Sequence, residues 1–143
     1  MKIFIPGNVP SSKNSKVKTA RGVFNSKTVT KYLRGLGVKS YSMRFKSWDG
    51  YKIRPNVFEA IVAPLREYLK TQTPPHPIGF HFVRDSRRRF DFTNAVQIIA
   101  DLMVCHQVIQ DDDMDNFLPY YRVINGQAYS IDKQRPWVWI FAE

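Results

Sequence analysis

Asp91-Phe92-Thr93-Asn94-Ala95-Val96-Gln97-Ile98-Ile99-Ala100-Asp101-Leu102-Met103 carries the clearest periodicity in the chain. Phe92, Ala95, Val96, Ile99, Leu102 and Met103 recur at helical spacing and form one apolar stripe. At about 100° per residue, Asp91, Asn94, Ile98 and Asp101 fall on one flank. Asp91 stands at the start, where a carboxylate accepts an orphan N–H and favours the positive end of the helix. The helix is entered from Arg87-Arg88-Arg89-Phe90, after a buried strand expected over residues 77–84. Beyond it, Val108-Ile109 leads into the acidic run Asp111-Asp112-Asp113 and Asp115. Strands and helices alternating in this irregular way predict an α+β (mixed α/β) single domain over residues 1–143, a mixed sheet packed against helices.

Working outward, residues 2–5 read as a short first strand closed by Pro6-Gly7. Residues 8–24 are rich in Ser, Lys, Asn and Gly and read as a mobile basic loop. A short helix is expected through Arg34, capped by Ser26 or Thr28 and ended by Gly35 and Gly37. A second helix is expected over residues 56–69, from the spacing of Val57, Ile61, Leu65 and Leu69, with Pro64 kinking or dividing it. Thr73-Pro74-Pro75 is a break. Residues 120–124 and 137–141 read as further strands, joined through a turn at Asn125-Gly126.

The charge is the strongest global signal. The 143 residues hold 22 Lys and Arg against 12 Asp and Glu, a formal net charge of +10. Residues 1–54 carry 13 of the basic residues and a single acid, Asp49, whereas residues 55–143 hold 9 basic and 11 acidic residues. A basic arm and an acidic site are therefore separate parts of the sequence, and the arm points to an anionic partner such as nucleic acid. Lys13, Asn14, Lys16 and Lys18 suit contacts to phosphate, which position a nucleic acid without reading it. Between Tyr41 and Arg54, basic and aromatic residues interleave, a pattern that serves base stacking as well as core packing. No apolar run reaches the roughly 20 residues that span a bilayer. The lone cysteine, Cys105, has no internal disulfide partner, which fits a reducing, cytoplasmic setting.

Arginines attract phosphate and carboxylates hold hard divalent cations, so Arg87, Arg88 and Arg89 beside Asp91 and the late aspartates form a pattern suited to phosphodiester chemistry. Taken singly, Asp91 also reads as a plain helix cap and Asp111–Asp113 as a solvated turn. His76, His81 and His106 have no zinc-type spacing with one another or with Cys105. The chain has no glycine-rich phosphate loop.

Taken together, Asp85-Ser86-Arg87-Arg88-Arg89-Phe90-Asp91-Phe92-Thr93-Asn94, then Asp101, then Asp111-Asp112, resemble the central motif of the RusA-type crossover-junction endodeoxyribonucleases. The first strand, the Pro-containing turn and the Ser/Asn/Lys loop are also similar. The resemblance implies a metal-dependent endonuclease, often of phage or prophage origin, that resolves four-way (Holliday) DNA junctions as a homodimer with Mg²⁺ or Mn²⁺. It implies catalytic roles for Asp91, Asp101 and Asp112, a metal held by Asp91, Asp111 and Asp112, and DNA contacts from Arg87–Arg89. Two positions depart from the pattern: Thr93 stands where the motif has a second aspartate, and Gln97 where it has a functional lysine. Three outcomes stay open. Another carboxylate, Asp101 or Asp113, completes the metal set; or one ion is held loosely and the reaction is slow; or the fold binds DNA without cutting it. A nuclease for other DNA or RNA structures is a further alternative.

Overall fold

The computed structural model describes residues 1–10, 16–19, 22–25, 27–38 and 56–143. Among them it is an α+β fold: one five-stranded mixed sheet, a two-stranded hairpin and three helices. The strands are β1 (Lys2–Pro6), β2 (Lys16–Thr19), β3 (Gly22–Asn25), β4 (His76–Arg84), β5 (Phe117–Tyr121), β6 (Ser130–Ile131) and β7 (Trp137–Ala142). The helices are α1 (Lys27–Gly35), α2 (Val57–Lys70) and α3 (Phe92–Cys105).

The large sheet runs β1-β7-β4-β5, with β6 beside the far end of β4. β7 is antiparallel to both neighbours, pairing Lys2 with Phe141 and Phe80 with Ile140. β5 and β6 are parallel to β4, with Gly79 opposite Tyr120 and Val83 opposite Ser130. β4 is buried along nearly its whole length, as a strand central to a sheet should be. β7 instead alternates: Val138, Ile140 and Ala142 are buried, while Trp137, Trp139 and Phe141 are half-buried. The core gathers Ile5, Ile78, Phe80, Phe82, Val138 and Ile140 of the sheet with Phe58, Val62 and Leu65 of α2 and Ala95, Ile99, Leu102 and Met103 of α3.

Each helix begins and ends for local chemical reasons. Asn56 caps α2, its side-chain oxygen accepting from the Glu59 N–H at 2.7 Å. Pro64 does not divide α2, which runs unbroken as 14 residues with Pro64 on the exposed side. α1 closes through Gly37 at φ 74, where Val38 N–H reaches the Leu33 carbonyl at 2.9 Å. α3 ends the same way with Gln107 at φ 57 in place of glycine, and Val108 N–H reaches the Met103 carbonyl at 2.8 Å. That reversal turns the acidic run back toward the helix.

Three expectations need correction. The basic segment of residues 8–24 is not a plain loop: Lys16–Thr19 and Gly22–Asn25 pair as an antiparallel hairpin. The strand expected at 120–124 lies at Phe117–Tyr121 instead. Asn125 and Gly126 do form a tight turn, at φ 52 and φ 75, with Ile124 bridging Gln127. That turn does not join β5 to β7 as a hairpin, because both of those strands pair with β4. Lys13, Asn14, Ser26 and the aromatic–basic stretch from Tyr41 to Arg54 lie outside the described residues.

Candidate functional site

α3 positions most of the candidate residues. Asp91 is its N-cap, with extended backbone (φ −102, ψ 108), and its Oδ1 accepts from the Asn94 N–H at 3.1 Å. The expectation of a capping carboxylate at this position holds. Thr93 is exposed one turn in and Asn94 is half-buried. Gln97, exposed on the same flank, donates both amide hydrogens: Nε2 lies 2.8 Å from Asp101 Oδ1 and 2.7 Å from Asp112 Oδ2. Two carboxylate oxygens therefore converge on one nitrogen. The first contact follows from i, i+4 spacing on the helix; the second exists because the chain reverses after α3.

The late aspartates have distinct tasks. Asp111 Oδ1 accepts from the Asp112 N–H at 2.8 Å, bracing the backbone that presents Asp112. Asp113 opens β5: its carbonyl accepts from the N–H groups of Asn116 and Phe117, and its Oδ1 from Asn116 Nδ2 at 2.7 Å. Asp113 is thus a turn residue. Asp91 and Gln97 are six residues apart, roughly 9 Å along the helix axis. The acidic pair therefore sits beyond the first turn of α3 rather than at its cap. Among the described residues, no three His, Cys, Asp or Glu side chains come together as a metal-holding group.

At the head of α3 lies a cavity of about 630 Å³. Asn8, Arg84, Asp85, Arg88, Arg89 and Asp91 are among the residues that line it. Arg84, the last residue of β4, is buried, donates from Nη1 to the Val9 carbonyl at 3.0 Å and stacks over Phe90 at 4.6 Å. Burial pushes its guanidinium below the usual value, opposed by Asp85 and Tyr129. Asp85 N–H donates to Asn8 Oδ1 at 3.2 Å. These two bonds tie the arginine run to Asn8-Val9-Pro10, the segment that leads directly into the Lys-rich residues 11–18. Arg87, Arg88 and Arg89 are exposed, and none forms an ion pair with a described residue. Lys16 and Lys18 belong to β2.

No known family model matches the chain, and no curated protein matches it. The site therefore stands on its own chemistry: exposed guanidiniums, a helix N-terminus and a bridged carboxylate pair along one helix. One contributor, Arg84, was not singled out from sequence, and Gln97 was noted there only as a departure from the motif. Arg84 is a buried cation closing an apolar strand, and its signal was a charge at the end of that run. The bridging role of Gln97 was signalled only by its i, i+4 relation to Asp101.

The candidate histidines are structural. His81 is 1% exposed, with Nδ1 2.8 Å from the Arg122 carbonyl and Nε2 2.7 Å from Ser130 Oγ. His106 is buried against Phe58, with ring centroids 4.7 Å apart. Cys105 is buried near the end of α3 as a packing residue.

Proposed function

We propose that the protein is a metal-dependent endonuclease acting on branched DNA of the four-way-junction type, working as a homodimer in the cytoplasm. The observation that carries this reading is the convergence of Asp101 and Asp112 on Gln97, along the helix whose head opens on the Arg84–Arg89 cavity. Exposed arginines offer forked donors that match phosphate geometry. The α3 N-terminus adds amide dipoles of the same sense. Mg²⁺ or Mn²⁺ commonly borrows one or two carboxylates and takes its remaining oxygens from water and substrate phosphate, so the Asp101–Asp112 pair suits it as a donor set. Asp91 and Asp111 complete the acidic surroundings. When bound, the ion would supply an activated water and offset charge on the leaving oxygen. The protein's own part is to hold Asp112 through the Asp111 carboxylate and to fix the scissile phosphate with Arg88 and Arg89. A homodimer suits the reading because a four-way junction is symmetric and needs paired cuts.

One observation favours a second reading, a DNA-binding protein that does not cut. Gln97 occupies the space between Asp101 and Asp112 with a neutral amide whose two hydrogens are both used. An amide that satisfies the carboxylates in this way competes with a cation for them.

Incubating the protein with a synthetic four-way junction, a linear duplex and a single strand, in Mg²⁺ or Mn²⁺, separates the two. The endonuclease reading expects paired nicks in the junction alone, lost in Asp112→Asn and in Asp101→Asn, the two carboxylates that would hold the ion. Tight junction binding with no cut in either metal gives the second reading. Cleavage that survives both substitutions removes these aspartates from the chemistry.

A further inference from the structure

One face of the large sheet packs on the helices. The other carries a run of aromatic rings that the acidic site does not use. On β7, Trp137, Trp139 and Phe141 alternate with the buried Val138, Ile140 and Ala142 and so point away from the core. β1 adds Phe4, which is 53% exposed and meets Trp139 edge-on at 5.5 Å. Trp137 and Trp139 stand edge to face at 6.2 Å. Phe4, Pro6, Arg135, Pro136, Trp137 and Trp139 enclose most of a cavity of about 540 Å³, within the range of small-ligand sites. Its walls are paired strands: Pro6 is in register with Trp137, and Gly7 N–H donates to the Pro136 carbonyl at 2.9 Å. The rings are therefore held before any ligand arrives, and little ordering cost remains.

The charges around this face have one dominant sign. Lys2 Nζ lies 5.1 Å above the Trp139 ring and the Arg122 guanidinium 5.0 Å above Phe141. Arg135 joins the cavity rim. Glu143 is already engaged by Arg122 at 2.6 Å, and the Asp132 carboxylate by the Gln134 and Arg135 N–H groups. A second copy seated here would set Lys2 and Arg135 against their own equivalents on a chain of net charge +10. A polyanion whose monomers present flat rings meets no such repulsion.

The geometry points to this face as a stacking platform for unpaired nucleotides. Bases stack on Phe4 and the Trp139–Trp137 pair, while Lys2 and Arg135 take the flanking phosphates. Lys2 already rests over an aromatic ring at an exposed site, a weak contact, so it transfers readily to a phosphate. The inference shares with the proposed function only the premise that the partner is nucleic acid. It uses neither cleavage nor any residue of the acidic site, so either can fail alone.

The test measures binding of labelled oligothymidine and of a fully paired four-way junction by anisotropy, with tryptophan fluorescence recorded in parallel. Oligothymidine is expected to quench tryptophan emission. Phe4→Ser and Trp139→Leu should each weaken oligothymidine binding by about tenfold or more. Junction binding and cleavage should stay within twofold of wild type. Phe4→Tyr, which keeps a ring, should restore affinity; because Phe4 is more than half exposed, this pair also controls for misfolding. Unchanged oligothymidine affinity in Phe4→Ser overturns the proposal. So does a sedimentation profile in which Phe4→Ser dissociates a dimer while oligothymidine affinity holds, which would assign the face to a second copy.

Discussion

His106 is the residue whose surroundings most constrain its proton. Its Nδ1 lies 2.8 Å from the Leu102 carbonyl, which can only accept, so Nδ1 carries the hydrogen. Nε2 then accepts from Asn56 Nδ2 at 3.2 Å, and a second ring proton would meet that donor head-on. Burial, the largest influence, pushes the imidazole below its usual 6.5; the Leu102 carbonyl and Glu59 push it up, and Arg66 pushes it down. The native state thus binds this proton at lower pH than the unfolded chain does. Stability from this group is fully present above pH 6.5 and declines as pH falls below it, until the folded imidazole is protonated too. Urea unfolding from about pH 7.5 to 5 should therefore show a shallower decline for His106→Gln than for the wild type. A decline of equal slope would remove His106 as a source of the acid sensitivity. The sequence showed His106 only as a histidine without zinc spacing. Leu102 is a near neighbour on α3, but Asn56 and Phe58, at the start of α2, lie far away in the chain, where no local pattern points to them.

Among the elements, one arginine of α2 reaches across to the end of α3. Arg66 donates Nη1 to Glu59 Oε1 at 2.7 Å, and its Nε and Nη2 reach the His106 carbonyl at 3.0 and 2.8 Å. One guanidinium so pairs with a carboxylate on its own helix and satisfies an orphan carbonyl at the C-terminal end of α3. Arg66→Ala leaves Glu59 and that carbonyl buried without this partner, and should cost about 3 kcal/mol in denaturant unfolding. Arg66→Lys should recover only part of the loss, because an ammonium cannot span both acceptors in the plane of the fork. An alanine variant as stable as wild type would show the two helices to be held by apolar packing alone. At this scale the sequence was a good guide where periodicity was long. α3 was legible from its apolar stripe and its capping aspartate, and α2 from its apolar spacing. β5 was misplaced because Pro119 sits in the middle of Phe117-Leu118-Pro119-Tyr120-Tyr121, and proline argues against a central strand. β5 tolerates it by lying at the end of the sheet order, bonded among the described residues to β4 alone. The β2–β3 hairpin was hidden by a polar composition typical of loops.

The whole molecule is described by a segregated charge and a mixed sheet. With 13 of its 22 basic residues within positions 1–54 and a net charge of +10, the DNA association we propose should be dominated by phosphate contacts. Junction affinity is expected to fall by about a thousandfold between roughly 50 and 200 mM salt. A nearly flat salt response would mean that the basic arm does not meet the backbone. The α+β class was legible because alternating elements and a single run of cores leave few alternatives. The strand order was not, since which strands pair is decided by close approaches such as Gly79. A methyl group there would come within 2.8 Å of the Tyr120 ring. The candidate site was legible as a set of residues but not as an arrangement: only the chain reversal at Gln107 brings Asp112 to Gln97.

That sheet order also governs how the protein comes into being. β7 lies between β1 and β4, and among the described residues β1 has no other partner in the sheet. β1 is therefore made well before its partner, and its ladder of hydrogen bonds can close only once Trp137–Ala142 has been made. β4 can recruit β5 and β6 earlier, so the sheet grows from one side and is completed on the other in a single late event. The strand that completes the sheet carries Trp137 and Trp139, two of the three tryptophans, and their fluorescence change offers a built-in signal of the moment it docks.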